Sequence, residues 1–201
     1  METSSILMFP RDSKPYDLSY VEWSMKWWQW LLSIPKSNNP AFDSTGVNAN
    51  VDQSYPNVFF LCQTYEGVKS IPNRSIRVPA GRSVFMPVIN WISILHIDGE
   101  TDQELASIAK QRMDVVANLE LVINGTTINK GLENYRVQSP FFYVTLPKDN
   151  ILDSSSGSRR CISDGYWVFL TSLEKHTRLS SSGSCSSGVT KIGVNYEINT
   201  D

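Results

Sequence analysis

Side chains able to do acid–base or metal chemistry are few in this chain. There are two histidines, His96 and His176. His96 stands in Ile94-Leu-His-Ile-Asp-Gly-Glu100, where strand alternation puts His96, Asp98 and Glu100 on one side of an extended segment. His176 follows Glu174-Lys175 and opens an apolar stretch. An imidazole beside a carboxylate can pass protons, so His96 and His176 with Asp98, Asp164 or Glu66 form the candidate catalytic set of a hydrolase or lyase. If His96, Asp98 and His176 converged they could also hold a metal, with the two imidazoles as weak candidate ligands. Linear spacing does not bring them together, and scaffolding is the commoner role of a lone histidine. No HExxH, GxSxG or HxH element and no phosphate-cradling glycine loop is present, so no cofactor is expected.

Binding chemistry has more to work with. Four of the six tryptophans, Trp23, Trp27, Trp28 and Trp30, fall within eight residues. Each ring carries about 150–250 Å² of surface, and leaving four of them in water would cost more than a domain's whole net stability. Burial against the protein's own core is the reading with most weight, and stacking on a sugar or another flat ligand is the alternative. Asp164-Gly-Tyr-Trp167 is a second aromatic element, with Tyr166 and Trp167 on opposite faces of a strand. The candidate ligand contacts are therefore Trp28, Gln29, Asn90, Trp91, Tyr166 and Trp167.

The elements that must position these groups can be drawn from local signals. Ser19 and Glu22 form a capping-box pattern, and Pro35 stops a helix over about 18–34. Glu22, Lys26, Gln29 and Ser33 make its one polar stripe, so the rest of the cylinder is apolar and enclosed. Asn38 to Gln53 reads as part of a long loop over 38–57. Apolar strands follow at Val58–Thr64 and Ser83–His96, with Pro87 marking a bulge or an edge. Thr101 and Glu104 open a second helix over about 102–117. Asn124-Gly125 between β-formers is a type I′ hairpin signal. Tyr135–Gln138, Phe141–Leu146, Tyr166–Leu173, His176–Leu179 and Ile192–Asn199 complete eight or nine strands. Ser154–Ser158 and Ser180–Ser187 read as loops.

Many short strands with two helices and no βαβ alternation give a mainly β fold, an antiparallel sandwich or jelly roll in one domain over 1–201. A net charge of −2 without a basic stripe argues against nucleic acid. No apolar run is long enough to span a membrane, and no secretory signal precedes the helix, so a cytoplasmic protein is expected unless a signal has been removed. Cys62, Cys161 and Cys185 fit neither a zinc site nor a disulfide framework. Cys62 reads as a core thiol, and Cys161 and Cys185 as loop residues able to pair with each other or stay free.

Trp27-Trp-Gln-Trp-Leu-Leu-Ser-Ile-Pro35, Val78-Pro-Ala-Gly-Arg82, Phe85-Met-Pro-Val-Ile-Asn90, Asp164-Gly-Tyr-Trp167, His176-Thr177 and Val194-Asn-Tyr-Glu-Ile198 together resemble an uncharacterised family of bacterial and archaeal proteins. The resemblance runs over nearly the whole chain. It implies a β-sandwich-like domain and no established reaction. Members are often exported and carry cysteines near positions 48–50 and 76, which this chain lacks, and that departure favours a reducing compartment.

Two functions follow as expectations. One is a binding or structural domain, taking a carbohydrate or another flat small molecule. The other is the His96/His176 hydrolase or lyase, which requires both imidazoles in one pocket. Pro140-Phe-Phe-Tyr143 is an apolar strip through which copies of the chain could associate as a homo-oligomer.

Overall fold

The computed structural model describes residues 8–65, 70–186 and 191–201. Helix α1 spans Tyr20–Ser33. Ser19 and Glu22 cap it reciprocally, and the chain leaves helical geometry at Ile34, before Pro35. Helix α2 spans Asp102–Asp114 behind the Thr101/Glu104 box. It stops three residues short of the expected end because Val116 already belongs to a strand.

Ten strands are found among the described residues: β1 Val58–Phe60, β2 Asn73–Val78, β3 Ser83–Ile94, β4 Val116–Ile123, β5 Thr126–Ile128, β6 Arg136–Gln138, β7 Phe142–Leu146, β8 Gly157–Leu170, β9 His176–Cys185 and β10 Lys191–Thr200. They form two sheets. One runs β1-β3-β8-β6 with β7 also on β8, and the other runs β2-β10-β9-β4-β5. Most pairs are antiparallel, as expected for a sandwich. The edge strands β1 and β2 differ, joining β3 and β10 in parallel. Asn124 and Gly125 both take positive φ, the signature of the type I′ turn joining β4 to β5.

The molecule has three layers. Val84, Met86 and Val88 of β3 meet Leu121, Leu179, Val194 and Ile198 in the space between the sheets. On the opposite face of the first sheet, Phe60, Phe85, Ile92, Ile94 and Trp167 receive the four tryptophans of α1. Those four indoles are 2–6% exposed, so the helix is enclosed by its own protein as its composition implied. Strands β3 and β8 outrun the second sheet. Helix α2 covers the excess, setting Leu105 and Ala109 on Ile162 beside Trp91.

The serine-rich stretch expected as a loop from Ser180 is strand β9 as far as Cys185, and Gly157-Ser158 begin β8. Small residues are needed in β9 because the sheets approach closely there. A Cβ on Gly183 would lie 2.6 Å from Ile89 Cβ. Cys161 is likewise no loop residue; it is buried in β8, and all three cysteines are free.

Candidate functional site

The first sheet has one unusual edge. Strand β1 pairs with β3 only from Ser83 to Phe85, so from Pro87 onward β3 has no strand neighbour on that side among the described residues. At the same place the β3–β8 register slips between Pro87 and Ile89, making Val88 a bulge, as Pro87 suggested. Beyond the bulge, Asn90, Ile92 and Ile94 face α1, and Trp91 and Ser93 face α2.

A cavity of about 430 Å³ wraps this open edge. Its α1 side is built by Trp27, Trp28, Leu31 and Ile151 with Asn90 and Ile92. The other side is built by Trp91, Met113, Cys185 and Ile192. Gln63, Asp98 and Arg112 are among its polar lining.

Several polar atoms here lack partners. Trp28 Nε1, Trp91 Nε1, Asn90 Nδ2 and Gln63 Oε1 are buried with no hydrogen bond. Leaving such a group unpaired costs about 1–3 kcal/mol, and native proteins rarely tolerate several together. Three neighbouring indoles do find partners: Trp23 donates to Pro15 O, Trp27 to Leu61 O at 2.8 Å and Trp30 to Val51 O, whereas Trp167 Nε1, outside the cavity lining, is also unpartnered. Gly165 keeps Asn90 against the wall, since a Cβ there would lie 2.6 Å from Asn90 Cβ.

Charge enters at one end. Asp98 Oδ2 accepts the Ile94 N–H at 2.7 Å. Burial pushes the Asp98 carboxyl above its usual range, against the lowering influence of that bond and of Arg112. The Arg112 guanidinium lies 4.3 Å from the centre of the Trp91 ring.

Of the candidate ligand contacts, Trp28, Asn90 and Trp91 therefore line the cavity. Gln29, Tyr166 and Trp167 do not. Gln29 is exposed on α1 and donates to Tyr143 O, because it belongs to the helix's polar stripe. Trp167 is wholly buried, stacked on Phe85 with ring centres 5.1 Å apart. Tyr166 packs toward the inter-sheet core beneath Arg136.

The catalytic candidates do not assemble. His96 is exposed in the turn after β3, with Nδ1 2.8 Å from Glu100 Oε2. His176 is exposed at the start of β9 against Asn199. Gly183 of β9 sits against Ile89 of β3, and the two strands run the same way. His176 lies seven residues before that contact and His96 seven after it. At about 3.3 Å per residue, the imidazoles sit at opposite ends of the sandwich, more than about 30 Å apart. Asp164 is taken up by a bidentate pair with Arg136, at 2.7 and 3.0 Å, on the other side of β8. Burial raises its carboxyl above the usual range, with Arg136 pulling the other way. Glu66 lies outside the described residues. Among the described residues no group of three His, Cys, Asp or Glu side chains could hold a metal ion.

Sequence reading missed Gln63 and Arg112. Gln63 had a signal, a lone amide closing the apolar run Val58–Cys62. It is 4% exposed and donates to Val88 O and Ser181 Oγ, bridging the sheets beside the bulge. Arg112, in the last turn of α2, gave none, since a cation there serves the helix dipole equally well.

No family model matches the chain, and no curated protein matches it. Solved structures weakly similar to it include two of low TM-score. One, described as "Solution Structure of Amebosin", has a TM-score of 0.23 and 9% identity, covering 73% of this chain and 100% of that one. The other, "Structure of PbICP-C in complex with falcipain-2", has a TM-score of 0.27 and 8% identity, covering 72% of this chain and 99% of that one. Likeness at this level carries no argument about function.

Proposed function

We propose that the protein is a binding module whose ligand is a small, largely apolar molecule carrying hydrogen-bonding groups, held in the cavity at the open edge of β3. One observation carries this reading. Four buried polar atoms, Trp28 Nε1, Trp91 Nε1, Asn90 Nδ2 and Gln63 Oε1, lack intramolecular partners and belong to residues of a single cavity. Three are donors, and an oxygen-bearing ligand would satisfy them once the side chains that close them off shift. The volume of about 430 Å³ falls within the range of small-molecule sites.

An apolar ligand is favoured over a sugar. A sugar needs an exposed ring face to stack on, and Trp27 and Trp28 are only 2% and 6% exposed. The hydrolase or lyase alternative has no comparable support, since its two imidazoles lie at opposite ends of the fold.

Thermal denaturation and tryptophan fluorescence against a panel of small aromatic acids, amides and oligosaccharides test the proposal. The expected result is a raised Tm and a changed emission for some apolar members, both lost in Asn90→Ala. Flat responses across the panel, or an unchanged response in Asn90→Ala, would overturn it.

A further inference from the structure

We propose that the natural occupant of this cavity is the free amino end of a short apolar peptide, added as an extended strand to the open edge of β3. This rests on reading the cavity as a binding site and narrows it to a ligand class.

The backbone of β3 supplies the argument. In a strand, the N–H and C=O of one residue point to one side and those of the next to the other. Leu95 N donates to Arg160 O, so Leu95 faces β8. Ile94 N donates to Asp98 Oδ2, so Ile94 faces the opposite, open side. By alternation Ile92 and Asn90 face that side too, and among the described residues no backbone hydrogen bond across this edge reaches either. Side chains plug the two ends of the window: Gln63 on the Val88 carbonyl, and Asp98 on the Ile94 N–H. Between the plugs lies a strand edge that is unpaired among the described residues, inside a cavity. Unpaired backbone groups in such a place are what an added strand satisfies.

The window also fixes direction. Asp98 accepts one bond with Oδ2, and Arg112 attracts it through space without an ion-pair contact among the described residues. Its other oxygen is free to take an ammonium. A peptide with its amino end there runs antiparallel to β3. Its second residue then lies opposite Ile92, exchanging N–H and C=O bonds with it. The second side chain enters the Trp27–Trp28–Leu31 wall, and the first and third enter the side built by Trp91, Met113 and Ile192. Both walls are apolar, so the peptide should be.

Tri-leucine with a free amine, N-acetyl-tri-leucine, and tri-leucine methylated on the second residue's nitrogen are titrated against the full chain. The readouts are tryptophan fluorescence and displacement of 1-anilinonaphthalene-8-sulfonate, a non-peptide apolar probe. Free tri-leucine should displace the dye, and acetylation or N-methylation should each weaken it at least tenfold. Asp98→Asn should abolish the difference between free and acetylated peptide, and circular dichroism checks that the variant folds. If the dye binds but free tri-leucine does not displace it, or acetylated peptide binds equally well, the peptide proposal falls and the cavity reading survives. If neither dye nor peptide binds, both fall.

Discussion

Trp27 and Trp28 are adjacent, buried and nearly perpendicular, so replacing each by phenylalanine removes the same atoms from closely similar surroundings. Losing the second ring costs about 1–2 kcal/mol at either site, a fraction of a full Trp-to-Ala truncation. The N–H separates the two. Trp27 Nε1 donates to the Leu61 carbonyl at 2.8 Å, and Leu61 is fully buried, so Trp27→Phe strands an acceptor at a further cost of about 1–3 kcal/mol. Trp28 Nε1 has no partner, so Trp28→Phe removes an orphan donor and recovers a similar amount. The expected ΔΔG is about 3 kcal/mol for Trp27→Phe and near zero for Trp28→Phe. For a domain of this size that difference moves Tm by roughly 6–12 °C. Urea denaturation with a constant m-value is the assay, with ligand titration beside it. Trp28→Phe should weaken the ligand while leaving stability intact. If Trp28→Phe destabilises as much as Trp27→Phe, the indole is not an orphan and the reasoning about the cavity fails.

Gly183→Ala would place its Cβ 2.6 Å from Ile89 Cβ and 3.0 Å from Val88 O, so a loss of about 2–3 kcal/mol is expected in denaturant unfolding. Arg136→Ala leaves the Asp164 carboxylate, 3% exposed, without its guanidinium, and should cost about 3 kcal/mol at neutral pH. Burial already raises that carboxyl and Arg136 lowers it, so the variant raises it further. A raised folded pKa means the cost is complete above that pKa and disappears below the unfolded value near 4, so the variant's deficit should shrink as pH falls from 7 to 4. His96→Ala with His176→Ala should leave stability within about 0.5 kcal/mol and any ligand affinity unchanged, since both rings are exposed and neither lines the cavity. A tenfold loss of binding in that double variant would restore the catalytic reading of the histidines.

The parts of the fold legible in sequence were those written in local chemistry. Ser19/Glu22 and Thr101/Glu104 set two helix starts, Pro35 a helix end, Asn124-Gly125 a turn and Pro87 a bulge. The burial of four indoles followed from area alone. Strand β9 stayed hidden because its Ser-Ser-Ser-Gly-Ser run has poor β propensity, and its reason for being small lies across the sandwich at Ile89. Strand β2 was missed since Asn73-Arg-Ser-Ile-Arg-Val78 alternates charge with few apolar side chains, although Arg74 and Ile76 are both buried. The site divides in the same way. Trp28, Asn90 and Trp91 could be singled out as polar-tipped residues in apolar runs. That β1 stops at Phe60 and leaves β3 without a strand neighbour beyond it among the described residues is a fact of pairing, which no residue type announces.

That bare edge also explains why the orphan donors survive. A strand edge inside a protein is normally covered or plugged, and here Gln63 and Asp98 plug only its two ends. Closing the middle would need one more residue pair from β1 or a leucine at Asn90, and a phenylalanine at Trp28 would remove an orphan donor at no net cost. A chain under selection for stability alone would have drifted toward them, because each removes a buried unpaired group worth about 1–3 kcal/mol. Keeping Trp28, Asn90, Trp91 and Gln63 unpaired around one cavity is intelligible if their partners arrive with a ligand, the role proposed for the edge of β3.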